Sequence, residues 1–170
     1  MLKPFDLAHD ITHHYRVWQW CLKITEAEHL SLNQDVLTLA AWWHDAEERT
    51  GRVVIAVKKS LEHNNIDSQL IDQVASVIRE HSFGKEQHSL EAKVLFDADK
   101  LEYVSPQRLS WFAQAVKDGF IDEKTYRRYR KDWTQRTPQI PSLLHFEFSK
   151  NEYRKLHHSV IKHKDKYWPY

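Results

Sequence analysis

Four stretches of the sequence combine histidine with carboxylate side chains in a pattern that could hold a metal ion. They read HDITHHYRV at residues 9–17, AAWWHDAEE at 40–48, IREHSF at 78–83 and SLEAKVLFDADKL at 89–101. Imidazole nitrogen and carboxylate oxygen form a borderline-to-hard ligand set, which suits Mn, Mg, Co, Ni, Fe or Zn better than copper(I). The single cysteine offers no thiolate pair, whereas twelve histidines supply the commonest metal-ligating side chain. The sequence therefore predicts a divalent-metal site.

The elements that position these stretches are expected to be helices. Apolar residues recur every three or four positions almost throughout, and no strand-like alternation stands out. Capping and breaking residues put the helices at about 8–28, from a cap at Ser31 or Asn33 to 49, and at 52–64, 67–81, 89–104, 105–119, 122–136 and 142–163. Two prolines within 137–141 must break the helix over 122–136. The expected fold is an all-α, compact multi-helix bundle of about seven or eight helices.

Length and charge predict one domain with an uneven surface. A chain of 170 residues with 41% apolar residues can bury a single core. Net charge is −4 over residues 1–50, −2 over 51–104 and +7 over 105–170. We therefore expect one domain over 1–170, with 105–170 as a basic C-terminal helical subregion. Acidic surface favours a divalent cation and basic surface favours phosphate.

Several classes of protein are disfavoured by composition. One cysteine excludes an intramolecular disulfide. The first residues lack the cationic and apolar segments of a signal peptide. The longest mainly apolar stretch, residues 36–43, is far shorter than the ~20 residues needed to cross a bilayer. The expectation is a cytoplasmic protein without a membrane partner.

The order of the histidine and aspartate stretches resembles that of the HD-domain metal-dependent phosphohydrolase superfamily. His13 fits the first ligand in the pattern HDxxHxxRV, and the doublet His44-Asp45 fits the pair that names the superfamily. Asp99 fits the final aspartate, because a basic and an apolar residue follow it. The resemblance covers residues 8–104, and it is nearest to small stand-alone bacterial members that act on nucleotides. It implies one divalent ion held by these four residues.

The resemblance also implies roles for residues near the ion. Asp45 and Glu48 are the candidate catalytic residues, Asp45 through the metal and Glu48 as a proton-transfer group one helical turn after His44. Glu48 could equally be a surface residue of the acidic cluster around it. The candidate substrate and phosphate contacts are Arg16, His81 and Lys100. For Arg16 the alternative is a salt bridge to an acidic partner, and for Lys100 it is a solvated helix position.

Three choices stay open at this point. His14, or His9 one turn back, could replace His13 as a ligand. Asp97 could replace Asp99, and since the two are about 200° apart on a helix, only one of them can face the site. A second metal ion could draw on His63, His81 and His88. Their spacing does not fit such a site cleanly, so a single ion is favoured.

The function expected from these observations is metal-dependent hydrolysis of a phosphate ester or phosphoanhydride, with a phosphorylated small molecule, a nucleotide, as substrate. One alternative is a nucleic-acid-binding or regulatory module, because the cluster YRRYRK at residues 126–131 offers arginine charge and tyrosine stacking. Another alternative is a di-iron HD-domain oxygenase on the same scaffold. The aromatic-rich helices are also compatible with a homodimer.

Overall fold

The structure, a computed structural model, describes residues 11–45 and 53–168, and throughout these ranges the regular elements are helical. They are α1 (Ile11–Ala27), α2 (Gln34–Trp43), α3 (Val53–His63), α4 (Ser68–Glu80), α5 (Leu90–Tyr103), α6 (Pro106–Lys117), α7 (Glu123–Arg136), a 3₁₀ turn (Thr137–Gln139), α8 (Ile140–Leu143), α9 (Glu147–Lys162) and α10 (Lys164–Tyr167). Eight of these described helices have ten or more residues, which confirms the all-α expectation. Among the described residues, no helix is long and apolar enough to cross a membrane.

Polar residues cap these helices largely where the sequence predicts. The side-chain oxygen of each cap accepts a backbone N–H in the first helical turn, at Asn33, Asp67, Ser89, Ser105 and Asp122. Such a cap satisfies an N–H that the helix itself leaves unpaired and contributes about 1 kcal/mol. Of the two candidates for α2, Asn33 rather than Ser31 is the cap.

The end of α2 differs from the prediction. The helix stops at Trp43 instead of continuing to about residue 49. The ring of His44 folds back, and its Nδ1 donates to the carbonyl of Ala41 at 2.8 Å. In a continued helix that carbonyl would accept the N–H of Asp45. Glu48 lies outside the described residues, so its position one helical turn after His44 stays a prediction.

The start of the last long helix also differs. The sequence predicts a helix over 142–163, but α9 begins only at Glu147. The two prolines within 137–141 do end α7, as predicted, and the chain then passes through the 3₁₀ turn and α8. Leu144 is extended, with ψ 138°. The backbone N–H groups of His145 and Phe146 bond to the carboxylate of Asp97 on α5, so these residues join the loop before the helix.

The core is organised around α5. This helix packs along α1 and also contacts α2, α4 and α9. Nine of its fourteen residues are buried, including the charged Asp97, Lys100 and Glu102. Burying charged side chains is costly unless they are paired or hydrogen-bonded. The partners of the charged residues of α5 therefore define the polar interior of the molecule.

The basic stretch 126–131 lies on α7, with its tyrosines on the inner side of the helix and its arginines on the outer side. Tyr126 is fully buried, and its hydroxyl donates to the carbonyl of Tyr167 at 2.6 Å. Tyr129 stacks on Phe112, with ring centroids 4.0 Å apart. Because both tyrosines are engaged in the interior, the expectation that they offer stacking to nucleic acid is wrong. The arginines of the stretch are exposed.

Candidate metal centre

Four predicted ligands from three separate parts of the chain meet between α1, α5 and the end of α2. His13 Nε2 lies 3.2 Å from His44 Nε2 and 3.0 Å from Asp45 Oδ2. Asp99 Oδ1 lies 3.7 Å from His13 Nε2 and 3.9 Å from His44 Nε2. Ligand atoms of His13, His44 and Asp45 all lie within 4.8 Å of one another. These distances are those of side chains that could share one ion.

Two histidine rings at this site are oriented by the helices that they end. His44 is the C-cap of α2, and its Nδ1 donates to the carbonyl three residues earlier. His81 is the C-cap of α4, and its Nδ1 donates in the same way to Ile78 at 2.6 Å. With the proton held on Nδ1, each Nε2 carries a lone pair. His81 Nε2 lies 3.8 Å from Asp45 Oδ1.

The chemistry of this donor set fits a divalent cation. The Nε2 lone pair of His44 faces His13 Nε2 and the carboxylates of Asp45 and Asp99 at the distances given above. When both imidazoles are neutral, these nitrogens and oxygens repel one another at such separations, so either a proton on His13 or a divalent ion must supply positive charge among them. Neutral imidazole and carboxylate are ligands for Zn and for Mn, Fe, Co and Ni, and they exclude a thiolate-type site.

The carboxylates of the cluster are kept ionised by the positive groups around them. Burial raises the pKa of Asp45, but His44 and His13 outweigh it and hold that pKa well below its usual range. For Asp99, burial likewise raises the pKa, but the Lys100 ammonium together with His44 and His13 outweighs burial and lowers the pKa. Burial lowers the pKa of His13, whereas Asp45 and Glu102 raise it to about 9 in the metal-free chain. A proton and a metal ion therefore compete for His13.

The structure distinguishes between the alternative ligands on α1 and on α5. His14 is not in the group of ligand atoms that could share an ion, and its Nδ1 lies 3.4 Å from the carbonyl of Ala41. Asp97 lies on the other side of α5 from Asp99, where it accepts the backbone N–H groups before α9. The geometry thus favours His13 over His14 and Asp99 over Asp97. His9 lies outside the described residues.

The three predicted phosphate contacts have different surroundings. Lys100 Nζ is ion-paired with Asp99 Oδ2 and lies 4.4 Å above the ring of Phe83. Arg16 Nε is ion-paired with the buried Glu102 at 2.6 Å, which is the salt-bridge alternative. His81 is buried beside Asp45. Lys100 and His81 therefore contact carboxylates of the cluster directly, whereas Arg16 contacts only Glu102 among the acidic residues near it.

Two charged residues next to His13 were missed by the sequence reasoning. Glu102 is completely buried, and its Oε2 lies 3.4 Å from His13 Nδ1. Arg108 of α6 is also buried, and its Nη1 lies 3.2 Å from both His13 Nδ1 and Glu102 Oε2. The helical spacing of Glu102 three residues after Asp99 was the available signal. Arg108 carried no such signal, because it is one of many cations in the basic segment.

The other histidines weighed for a second ion do not join the cluster. His63 ends α3 and His88 precedes α5, and both are exposed. Within residues 11–45 and 53–168, the single group of three ligand-type side chains close enough to hold an ion is His13, His44 and Asp45. For this part of the chain, the geometry favours one ion rather than two.

Comparison with known families gives a match over the same region. The family model described as the HD domain matches residues 10–104, more than half of the chain. No curated protein matches the sequence.

Solved structures with a similar fold cover nearly the whole chain. A protein of Lactobacillus plantarum is 17% identical with a TM-score of 0.69, over 95% of this chain and 88% of its own. Bacillus subtilis YpgQ, in complex with ADP, is 20% identical with a TM-score of 0.67, over 95% and 91%. A predicted HD superfamily hydrolase from an uncultured Thermotogales bacterium is 21% identical with a TM-score of 0.61, over 97% and 83%. At these identities the likeness concerns the fold.

Proposed function

This chain belongs to the HD-domain family, and from that premise we propose that it is a metal-dependent phosphohydrolase whose substrate is a nucleotide. The family match supports a metal-dependent phosphohydrolase in general. The finer proposal is hydrolysis of a nucleotide at a phosphate ester or a phosphoanhydride bond. Its ligands would be His13, His44, Asp45 and Asp99.

The observation that carries the proposal is the convergence of Nε2 of His13 and His44 with oxygens of Asp45 and Asp99. A divalent ion held there would lower the pKa of a bound water and polarise a phosphoryl oxygen. The protein's part is to orient the donors. The His44 ring is fixed by its bond to Ala41, and the Asp99 carboxylate is fixed by Lys100.

Cationic side chains beside the cluster support a phosphorylated substrate. Lys100 lies against Asp99 and over Phe83, and the guanidinium of Arg136 lies 5.5 Å from the same Phe83 ring. Lys100 and Arg136 therefore flank one ring, with Arg136 half-exposed. Ammonium and guanidinium groups are the usual partners of phosphate oxygens. We assign Lys100 and His81 as phosphate contacts, with Arg136 on the outer side.

A nucleotide is favoured over other phosphate compounds by two observations. YpgQ, which has a similar fold, is described in complex with ADP. The C-terminal segment that packs on the HD region carries the net positive charge that suits a polyphosphate chain. Glu48 remains our candidate for proton transfer to or from the reacting water.

The test is a substrate screen with the purified chain. Nucleoside mono-, di- and triphosphates are each incubated with Mn²⁺, Mg²⁺, Co²⁺, Ni²⁺ or Zn²⁺, and released phosphate and pyrophosphate are measured. We expect metal-dependent release that a chelator abolishes and that Asp45→Asn reduces by at least ~10³-fold. Replacement of the exposed His158, as His158→Gln, is the matched control and should leave the rate unchanged.

The same screen can overturn the proposal. If a folded wild-type chain binds the metal but releases nothing from any nucleotide, hydrolysis of nucleotides is wrong. If Asp45→Asn and His158→Gln lower the rate equally, the cluster is not the reaction site.

A second candidate function is nucleic-acid binding through α7. Arg127, Arg130 and Lys131 line a shallow surface groove together with Thr134 and Gln135. Arginine and lysine along one helix face are typical of phosphate-backbone contacts. Binding of single-stranded RNA with a steep salt dependence, weakened by Arg130→Gln, would favour this candidate. Absence of binding at low salt would eliminate it.

A further inference from the structure

The ring nitrogen of His13 that does not face the cluster, Nδ1, lies beside two buried charged residues, Glu102 and Arg108. If Nε2 binds the ion, the proton of the ring must be on Nδ1. Two charged groups lie close to Nδ1: Glu102 Oε2 at 3.4 Å and Arg108 Nη1 at 3.2 Å. A carboxylate can accept the Nδ1 proton, whereas a guanidinium can only donate. These two neighbours therefore favour opposite placements of the proton on His13.

Glu102 is held firmly in this position. It is fully buried, and its other oxygen, Oε1, accepts from Arg16 Nε at 2.6 Å. Oε2 also accepts from Arg108 Nη1 at 3.2 Å. A buried carboxylate with two guanidinium partners has little freedom to turn away. The arrangement gives His13 a fixed acceptor.

We propose that Glu102 is a positioning residue that keeps the proton of His13 on Nδ1, so that Nε2 is free for the metal ion. Arg108 holds the carboxylate and, when Glu102 is absent, favours the opposite proton placement. Arg108 lies beyond residues 10–104, which the family model matches, so the C-terminal segment takes part in shaping the metal centre. The proposal rests on the metal centre described under the proposed function.

The variant Glu102→Gln separates the two proton placements. Arg16 requires an acceptor at the position of Oε1, so the amide oxygen must lie there and the amide NH₂ must replace Oε2. That NH₂ then faces His13 Nδ1 as a second donor beside Arg108. Turning the amide round instead places NH₂ against the donating Nε of Arg16. In either orientation the variant has a donor-to-donor contact that the carboxylate avoids.

The experiment measures the affinity of the purified chain for Mn²⁺ alone, by electron paramagnetic resonance of the free ion. Compared with wild type, we expect Glu102→Gln to bind Mn²⁺ roughly 10- to 100-fold more weakly. Arg108→Met removes the competing donor and leaves Glu102 paired with Arg16. It should bind Mn²⁺ as tightly as wild type or more tightly.

The double variant supplies a rescue that a merely structural role would not give. Removal of Arg108 takes away one of the two donors that face Nδ1 in Glu102→Gln, so Glu102→Gln/Arg108→Met should bind Mn²⁺ more tightly than Glu102→Gln. It also removes one positive and one negative charge together, which protects the fold. If Glu102→Gln alone does not fold, the double variant is compared with Arg108→Met, and a loss of roughly 10-fold is still expected.

The outcomes distinguish this inference from the function on which it rests. If wild type fails to bind Mn²⁺, or any of the other divalent ions tried, the metal centre itself is wrong. If wild type binds but the Glu102 variants bind equally well while folded, only the positioning role is wrong. Equal weakening by Glu102→Gln and Arg108→Met, without rescue in the double variant, also overturns it, because it indicates general support of the fold.

Discussion

Two aspartates on α5 show how the same side chain is used differently on two sides of one helix. Asp99 faces the imidazoles of His13 and His44 and is ion-paired with Lys100. Asp97, two residues earlier, faces the backbone N–H groups of the loop before α9. Its pKa is raised by burial to about 6, whereas that of Asp99 is lowered.

The difference teaches that partners, rather than burial, decide what a buried carboxylate does. Asp99 is next to groups that carry full positive charge, so it stays ionised and can bind a cation. Asp97 has neutral dipoles as its nearest partners, and these offset only part of the cost of burial. One side of α5 therefore serves the metal centre, and the other fastens the C-terminal helices.

The largest effect that would sharpen this comparison is on metal affinity. Asp99→Asn removes the charge that faces both imidazoles, and we expect Mn²⁺ affinity to fall by more than roughly 100-fold, about 3 kcal/mol. Asp97→Asn removes the same charge two residues away and should change the affinity by less than about threefold. The measurement is a Mn²⁺ titration of both variants, and equal losses would contradict the division of roles.

The second effect concerns stability. Asp97→Ala leaves the N–H groups of His145 and Phe146 without their acceptor, and each is part-buried. We expect the free energy of unfolding to fall by about 2 kcal/mol, from urea denaturation. The stoichiometry of bound Mn²⁺ should stay that of wild type. An unchanged urea midpoint would mean that the C-terminal helices do not depend on this contact.

The smallest effect is a dependence on pH. Because the folded-state pKa of Asp97 is raised to about 6, the folded chain binds this proton more tightly than the unfolded chain does. The resulting stability is complete in acid and is lost as pH rises through about 6. Between pH 5 and 7, wild type should lose about 1 kcal/mol relative to Asp97→Asn.

Urea denaturation of both chains at the two pH values measures this difference, because contributions from other groups cancel in it. A difference that stays constant across the range would contradict the burial-driven pKa. A difference that increases in favour of wild type would show that the N–H bonds, which favour the ionised form, outweigh burial.

The helices and the candidate ligands were predictable because each depends on local sequence. Capping residues such as Ser89 and Asp122 act on the next few N–H groups, so their effect can be predicted from neighbours alone. The order of His13, the His44-Asp45 doublet and Asp99 is likewise a one-dimensional pattern. The family match over residues 10–104 confirms the resemblance based on it.

Features that depend on distant contacts were not predictable. Helical spacing shows that Asp97 and Asp99 point in different directions, but not which direction faces His13. α9 starts late because the backbone N–H of His145 donates to the carboxylate of Asp97, which lies 48 residues earlier in the chain. Arg108 looks like one more cation of a basic segment, and only the fold brings its guanidinium to His13.

The two histidines that end α2 and α4 each fold back on a carbonyl three residues earlier. The orientation of each imidazole ring is therefore set by the last turn of its own helix and moves with that turn. An insertion after Asp45 or His81 would leave these nitrogens in place. One extra residue inside the helix would swing the nitrogen about 100° around the axis. The register of α2 and α4 therefore decides where these two nitrogens point.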